Sequence, residues 1–144
     1  MSSTDYANII KAQLLGNFAE ADALLDEFDD EDGQYEVALT AAVFTLTLRN
    51  RFGSDPSRKA IDKLINDARV EYLDAPGFKP LAAEALVRGV LSDKEEHLLD
   101  EVPEEDYVIN QLAIAHKSVA DSHELAAHID DVITEAEELV AQAC

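Results

Sequence analysis

The chain of 144 residues is poor in cysteine, basic residues, glycine and proline, and it has no tryptophan. A single cysteine, Cys144, excludes an internal disulfide, a cysteine-rich zinc site and a CxxC redox motif. Only 11 lysines and arginines oppose 31 aspartates and glutamates, which gives a formal net charge of −20. Because nucleic acids and anionic membranes are bound through lysine and arginine, this balance argues against both as partners of the chain as a whole.

Long apolar runs and secretory features are also lacking. The longest stretch without a charged residue is Val37–Leu48, and its twelve residues include three threonines. A helix that spans a membrane needs about 20 apolar residues, so this stretch predicts a buried, central core helix instead. Residues 1–6, MSSTDY, show neither the basic nor the apolar segment of a secretory signal, and we expect a cytoplasmic protein with no membrane partner.

What the sequence does contain is helical periodicity. Apolar residues make up 47 % of the chain and recur at helical spacing in about eight segments, whereas no segment alternates as a strand does. Pro80 is expected to start the fifth helix, which would bury Leu81, Ala85 and Leu86, and Asp55 is expected to cap the fourth helix. We therefore predict one all-α domain over residues 1–144, folded as a compact helical bundle.

A short internal match raises the question of duplication. Leu24–Phe28 reads LLDEF and Leu98–Val102 reads LLDEV, and each is followed by an acidic turn and two long predicted helices. The offset is about half of the chain, so one interpretation is a stack of helical hairpins made of two pseudo-repeated four-helix halves, 1–73 and 74–144. The other interpretation is a chance likeness between acidic helical linkers, and the sequence leaves both open.

Residues 16–21, GNFAEA, resemble the turn between the two helices of a tetratricopeptide unit, in which glycine, a small polar residue, an aromatic residue and alanine recur. The resemblance implies a helical hairpin at this point, with Phe18 filling the gap beside Ala21. The family's period of about 34 residues does not follow, so the resemblance does not imply a repeat array.

Two likenesses to metal sites do not satisfy the required ligand spacing. Around Gly33, an EF-hand register would place Phe28 and Leu39 at positions that need oxygen ligands. His123 and His128 are five residues apart, whereas the zincin motif spaces its histidines four apart on one helical face. Neither a nucleophile elbow nor a glycine-rich phosphate loop is present. We therefore expect no catalytic residues, no metal and no cofactor, and we do not expect an enzyme.

Charge is unevenly distributed along the chain. Residues 1–72 carry 14 acidic and 7 basic residues, whereas residues 73–144 carry 17 and 4. Two acidic turns provide the candidate residues for binding a basic protein surface: Asp29, Asp30, Asp32, Glu104, Glu105 and Asp106. Six of the 11 basic residues lie within 49–69, where three acids oppose them: Arg49, Arg51, Arg58, Lys59, Lys63 and Arg69.

The basic segment 49–69 has two interpretations. Its charges can form ordinary salt bridges between successive turns of one helix, as Arg58 with Asp62 and Lys63 with Asp67. Alternatively, the segment is a basic end that docks an acidic surface, which a second copy of the chain would supply in a homo-oligomer. Nucleic acid is an unlikely partner of any part of the chain except this segment.

The leading functional hypothesis is a non-catalytic, acidic interaction module that binds a basic protein surface or self-assembles. One alternative is a nucleic-acid-mimicking inhibitor or immunity-type protein, whose carboxylates would follow the spacing of phosphates. A further alternative is a structural subunit of a virus particle or shell. The same composition is also typical of proteins from salt-loving cells, in which surface acids serve solubility.

Overall fold

A computed structural model of the protein describes residues 2–27, 33–53 and 57–143. In these ranges the secondary structure is helical throughout, with no strand. The elements in chain order are α1 Ser2–Leu14, α2 Phe18–Glu27, α3 Gly33–Phe52, α4 Arg58–Glu71, α5 Pro80–Leu91, a long 3-10 helix Asp93–Glu101, a short 3-10 helix Glu104–Asp106, α6 Tyr107–Ala120, α7 His123–Ala127 and α8 Ile129–Ala143. The all-α prediction is therefore confirmed.

Local sequence explains where several helices begin and end. Gly16 has a φ of 82°, a left-handed conformation that suits glycine and ends α1. Ser57 caps α4, because its Oγ accepts a hydrogen bond from the backbone N–H of Ala60 at 3.1 Å. The predicted cap, Asp55, lies outside the described residues, and the observed cap is two residues later. Pro80 occupies the first turn of α5, as predicted.

Two of the eight predicted helices take a different form: the sixth, expected at about residues 94–100, and the eighth, with its apolar stripe at 125–140. The sixth is the long 3-10 helix, which packs closely on α5 at Gly89. A Cβ at Gly89 would lie 2.6 Å from Cγ of Leu99, so the contact depends on the missing side chain. The eighth is divided into α7 and α8 at His128, whose backbone N–H donates to the carbonyls of Glu124 and Leu125 and closes α7.

The core consists of two clusters that share α3 and α6. In the first cluster, α1, α7 and α8 pack on Leu39 and Val43 of α3 and on Ala115 and Val119 of α6. In the second cluster, α4, α5 and the long 3-10 helix pack on Phe44 and Leu48 of α3 and on Ile114 of α6. The large buried side chains include Ile10, Leu39 and Leu125 in the first cluster and Phe44, Leu64 and Leu86 in the second. The central position predicted for Val37–Leu48 is thus observed.

The threonines of α3 are compatible with this burial because their hydroxyls bond to their own helix. Thr40 donates to the carbonyl of Glu36 at 2.8 Å, and Thr47 donates to the carbonyl of Phe44 at 2.9 Å. Across the described ranges, no helix combines the length and the apolar composition that crossing a membrane would require.

The order of elements is similar in the two halves of the chain, but it does not demonstrate a repeat. The first half has α1, α2, the central helix α3 and then α4, whereas the second half has α5, two 3-10 helices, the central helix α6 and then α7 and α8. The second position, however, is an α-helix in the first half and a 3-10 helix in the second. Internal duplication therefore stays a prediction.

Buried Asn110 fixes the loop before α5 to the start of α6. Its Oδ1 accepts a hydrogen bond from the backbone N–H of Lys79 at 2.9 Å, and its Nδ2 donates to the carbonyl of Asp106 at 2.8 Å. In the same loop Gly77 has a φ of 82° and lies against Ile109. This loop determines where the start of α5, with its exposed Leu81, lies on the surface.

Candidate interaction surfaces

The outer face of α8 is acidic and has no basic residue. Asp131, Glu135 and Glu138 are exposed and follow the spacing i, i+4, i+7, so they lie on one side of the helix. The opposite side packs into the first core cluster through Ile129, Ile133, Ala136 and Val140. We call Asp131, Glu135 and Glu138 the acidic face of α8.

The six acids predicted from the sequence have different environments. Asp29, Asp30 and Asp32 lie outside the described residues. Glu104 and Glu105 are exposed in the short 3-10 helix. Asp106 is 7 % exposed, and its Oδ2 accepts a hydrogen bond from Nζ of Lys79 at 3.1 Å. Because its carboxylate is buried against Lys79, Asp106 is less accessible to a partner than Glu104 and Glu105, which stay candidates beside the acidic face of α8.

Residues of the predicted basic segment 49–69 form salt bridges with three different parts of the fold. Arg51 at the end of α3 binds Asp121 of α6, with 2.9 Å between NH1 and Oδ2. Lys63 binds Asp67 at 2.7 Å, which is the expected pair within one helix. Asp62, in contrast, accepts a hydrogen bond from Arg88 of α5, and no Arg58–Asp62 pair occurs among the residues that the structure covers.

The remaining basic residues of the segment are exposed: Arg49 at the end of α3, and Arg58, Lys59 and Arg69 on α4. Counting only described residues, none of these four forms a salt bridge. Arg58, Lys59 and Arg69 lie on the outer side of α4, because Ile61, Leu64, Ile65 and Ala68 occupy its buried side. The outer side of α4 is therefore basic in a strongly acidic protein.

Apolar side chains accompany these basic residues. Val70, Leu73 and Leu81 are 77 %, 72 % and 83 % exposed, more than the other exposed large apolar residues of the described ranges. Leu81 was predicted to face the core, and this prediction is wrong, whereas Leu86 is buried as predicted. α5 also buries Ala82, Ala83 and Val87, and Ala85 is partly buried. We call Arg58, Lys59, Arg69, Val70, Leu73 and Leu81 the α4–α5 surface.

A largely apolar groove of about 640 Å³ adjoins this surface. Leu81 and Ala85 of α5 form one wall, and Leu98, Val102 and Pro103 form the other. The groove therefore extends the apolar area that begins at Leu81.

A chain of salt bridges connects α3, α4 and α6. Lys117 of α6 lies 3.1 Å from Asp121 and 3.3 Å from Glu71 at the end of α4, while Arg51 of α3 binds the second oxygen of Asp121. Burial alone would raise the pKa of Asp121, but the hydrogen bonds from Arg51 and Lys117 lower this pKa below its ordinary value of 3.8. Asp121 therefore stays ionised at neutral pH and holds the two cations in place.

Aromatic rings surround His116 on the neighbouring part of α6. The rings of Phe18 and Tyr72 lie 5.2 Å and 5.8 Å from its ring, and Phe78 packs on Tyr72 at 5.5 Å. Burial lowers the pKa of His116 below 6.5, with an opposing contribution from Glu71. The Phe18 ring thus packs across the hairpin turn onto α6, although the side chain stays half-exposed.

A polar cleft of about 480 Å³ lies where α3, α4, α6 and α7 meet. Arg51 and Lys63 supply positive charge to its lining, whereas Asp121 and Glu124 supply negative charge. Sequence reasoning did not predict this cleft, because its residues come from four helices and share no local spacing. The exposure of Val70, Leu73 and Leu81 was not predicted either, because the spacing of these residues fits a buried apolar stripe equally well.

Two further observations bear on function. Over the described residues, no three histidine, cysteine, aspartate or glutamate side chains converge as metal ligands. Compared with known proteins, the chain shows no significant match to a protein-family model, a curated protein or a solved structure. Function therefore has to be argued from the surfaces themselves.

Proposed function

We propose that this protein is a non-catalytic interaction module that binds a basic protein surface through the acidic face of α8. The observation that carries this proposal is the row of Asp131, Glu135 and Glu138 on a helix that has no lysine or arginine. Exposed carboxylates at this spacing can pair with lysines or arginines on a facing helix or a flat basic surface.

Charge supports a basic partner both at long range and at direct contact. The net charge of −20 attracts a basic protein at long range and accelerates encounter. At contact, the row on α8 provides a local pattern that determines orientation. Both contributions weaken as salt rises, because the Debye length is about 10 Å at 0.1 M salt and shorter above it.

The test uses a helical peptide that carries lysines at i, i+4 and i+7, matched to the acidic face. The variant D131N/E135Q/E138Q is expected to weaken binding about tenfold, since each exposed pair contributes roughly 0.2–1 kcal/mol. The matched control is E20Q/D22N/D74N, which removes the same charge from exposed positions outside every candidate acidic site. If both variants weaken binding equally, only net charge matters and the proposed face is wrong.

Self-assembly is the second candidate, and the α4–α5 surface favours it. Val70, Leu73 and Leu81 expose more of their side chains than the other large apolar residues of the described ranges, and exposed apolar patches are typical of protein contact sites. The acidic face of α8 belongs to the other core cluster, so a second copy could offer it to the α4–α5 surface. Such a contact joins two different surfaces and builds rings or filaments.

Salt separates the two candidates. Two copies with a charge of −20 each repel one another over their whole surfaces, and salt screens this repulsion without weakening the apolar contact of Val70, Leu73 and Leu81. Where that apolar contact dominates the interface, self-association should increase between about 0.01 M and 0.15 M salt. Binding of a basic partner should decrease over the same interval. Sedimentation measures the self-association of the wild-type protein and of V70S/L81S at each salt concentration. L25S on α2 is the control for the loss of an exposed leucine. A protein that is monomeric at every salt concentration excludes self-assembly.

A further inference from the structure

The polar cleft between α3, α4, α6 and α7 has the features of a small-molecule site. Its volume of about 480 Å³ lies within the range of roughly 300–1,000 Å³ that is typical of ligand pockets. Phe52 and Leu125 contribute apolar surface, and charged side chains from four helices surround them. None of its residues belongs to the acidic face of α8 or to the α4–α5 surface, so the cleft is independent of the functions proposed above.

A buried hydroxyl without a partner points to a missing ligand. Ser118 lines the cleft, is 1 % exposed, and its Oγ has no hydrogen-bond partner among the described residues. Leaving a buried hydroxyl unpaired is unfavourable, because it loses its bonds to water and gains none in exchange. A polar group of a bound molecule would supply that bond.

The charges of the lining balance one another, and this determines the class of ligand. Arg51 binds Asp121 through NH1, which leaves further N–H groups of its guanidinium for a ligand. Glu124 is exposed, and within the described ranges its carboxylate forms no hydrogen bond or salt bridge. A purely anionic ligand would face Glu124 and Asp121, whereas a purely cationic ligand would face Arg51 and Lys63.

The cleft has places for both charges of a ligand. Glu124 of α7 can pair with a cation, and Arg51 of α3 and Lys63 of α4 can pair with an anion.

We propose that this cleft binds a small polar zwitterion of the α-amino acid class. The carboxylate lies on the guanidinium of Arg51 and on Nζ of Lys63, and the ammonium lies on Glu124. A polar side chain of the ligand bonds to Oγ of Ser118. This arrangement pairs each charge of the ligand with an opposite charge and satisfies the buried hydroxyl.

Thermal unfolding of the full chain with each of the twenty amino acids at about 10 mM tests the proposal. A ligand that binds only the folded protein raises Tm, and with a Kd of about 1 mM the effect is measurable at this concentration. At least one polar amino acid is expected to raise Tm, and calorimetry then gives its Kd. Succinate and putrescine serve as the purely anionic and purely cationic probes.

Variants assign the binding to the cleft. S118A is expected to raise Tm of the ligand-free protein, because it removes an unpaired hydroxyl, and to weaken binding about tenfold. E124Q changes an exposed residue, preserves the fold, and should weaken binding similarly; E138Q on α8 is the matched control. The proposal is overturned if no amino acid raises Tm, if succinate or putrescine binds as tightly, or if S118A and E124Q leave Kd unchanged.

Discussion

The hydroxyl of Tyr72 hydrogen-bonds to Nδ1 of His116 and thereby joins the end of α4 to α6. The tyrosine hydroxyl can donate or accept, and Nδ1 accepts only when it carries no proton. With Nδ1 unprotonated, the hydroxyl of Tyr72 donates this bond. Burial of the ring disfavours the charged imidazolium, so the fold favours the neutral imidazole.

The first prediction concerns pH. Because burial lowers the pKa of His116 in the folded protein, its contribution to stability is complete above 6.5, the ordinary histidine value. That contribution is lost as pH falls from 6.5 towards the lower pKa of the folded state. Urea unfolding between pH 7.5 and pH 5 should show this decrease in the wild type and a smaller one in H116Q. H97Q, at an exposed histidine, should behave as the wild type.

The second prediction concerns the close packing of α5 on the long 3-10 helix. G89A should lower the free energy of unfolding by about 1–3 kcal/mol, because the new methyl group meets Leu99. The same methyl should be better tolerated in L99A, where the opposing side chain is shortened. Denaturant unfolding of both single variants and the double variant measures this coupling. Additive effects would show that Leu99 is not the cause.

The third prediction concerns the buried amide of Asn110. N110A leaves the backbone N–H of Lys79 and the carbonyl of Asp106 without their partner. Each unsatisfied buried group costs about 1–3 kcal/mol, so a loss of at least 2 kcal/mol is expected. N66A, on the exposed side of α4, should change stability by less than about 0.5 kcal/mol. A small loss in N110A would mean that the loop does not depend on this side chain.

The fourth prediction concerns Asp121, which holds Arg51 and Lys117. D121N should destabilise the protein by about 1 kcal/mol at low salt, and the loss should shrink near 1 M salt. Because its folded pKa is lowered, the contribution of Asp121 is present above pH 3.8 and is lost as pH falls below that value. D74N, at an exposed position, is the control, and an equal effect in both variants would contradict the prediction.

The sequence predicted the helical class, the central position of α3 and the start of α5, because periodicity and proline act locally. It could not predict which face of α5 is buried: Leu81 and Leu86 both fit an apolar stripe, and only packing on the long 3-10 helix, α6 and α4 distinguishes them. Similarly, Asp62 has a suitable partner one turn earlier in Arg58, but Arg88 reaches it across the helix pair. The polar cleft was missed for the same reason, since it exists only once four helices meet.

The two central helices, α3 and α6, make the two halves of the chain depend on each other for folding. α3 belongs to residues 1–73 and packs on α6 and α8, which belong to residues 74–144. Each core cluster therefore takes side chains from both halves, and neither half contains a complete core. Separate fragments 1–73 and 74–144 should each remain largely unfolded and should regain helicity when mixed, as in fragment complementation.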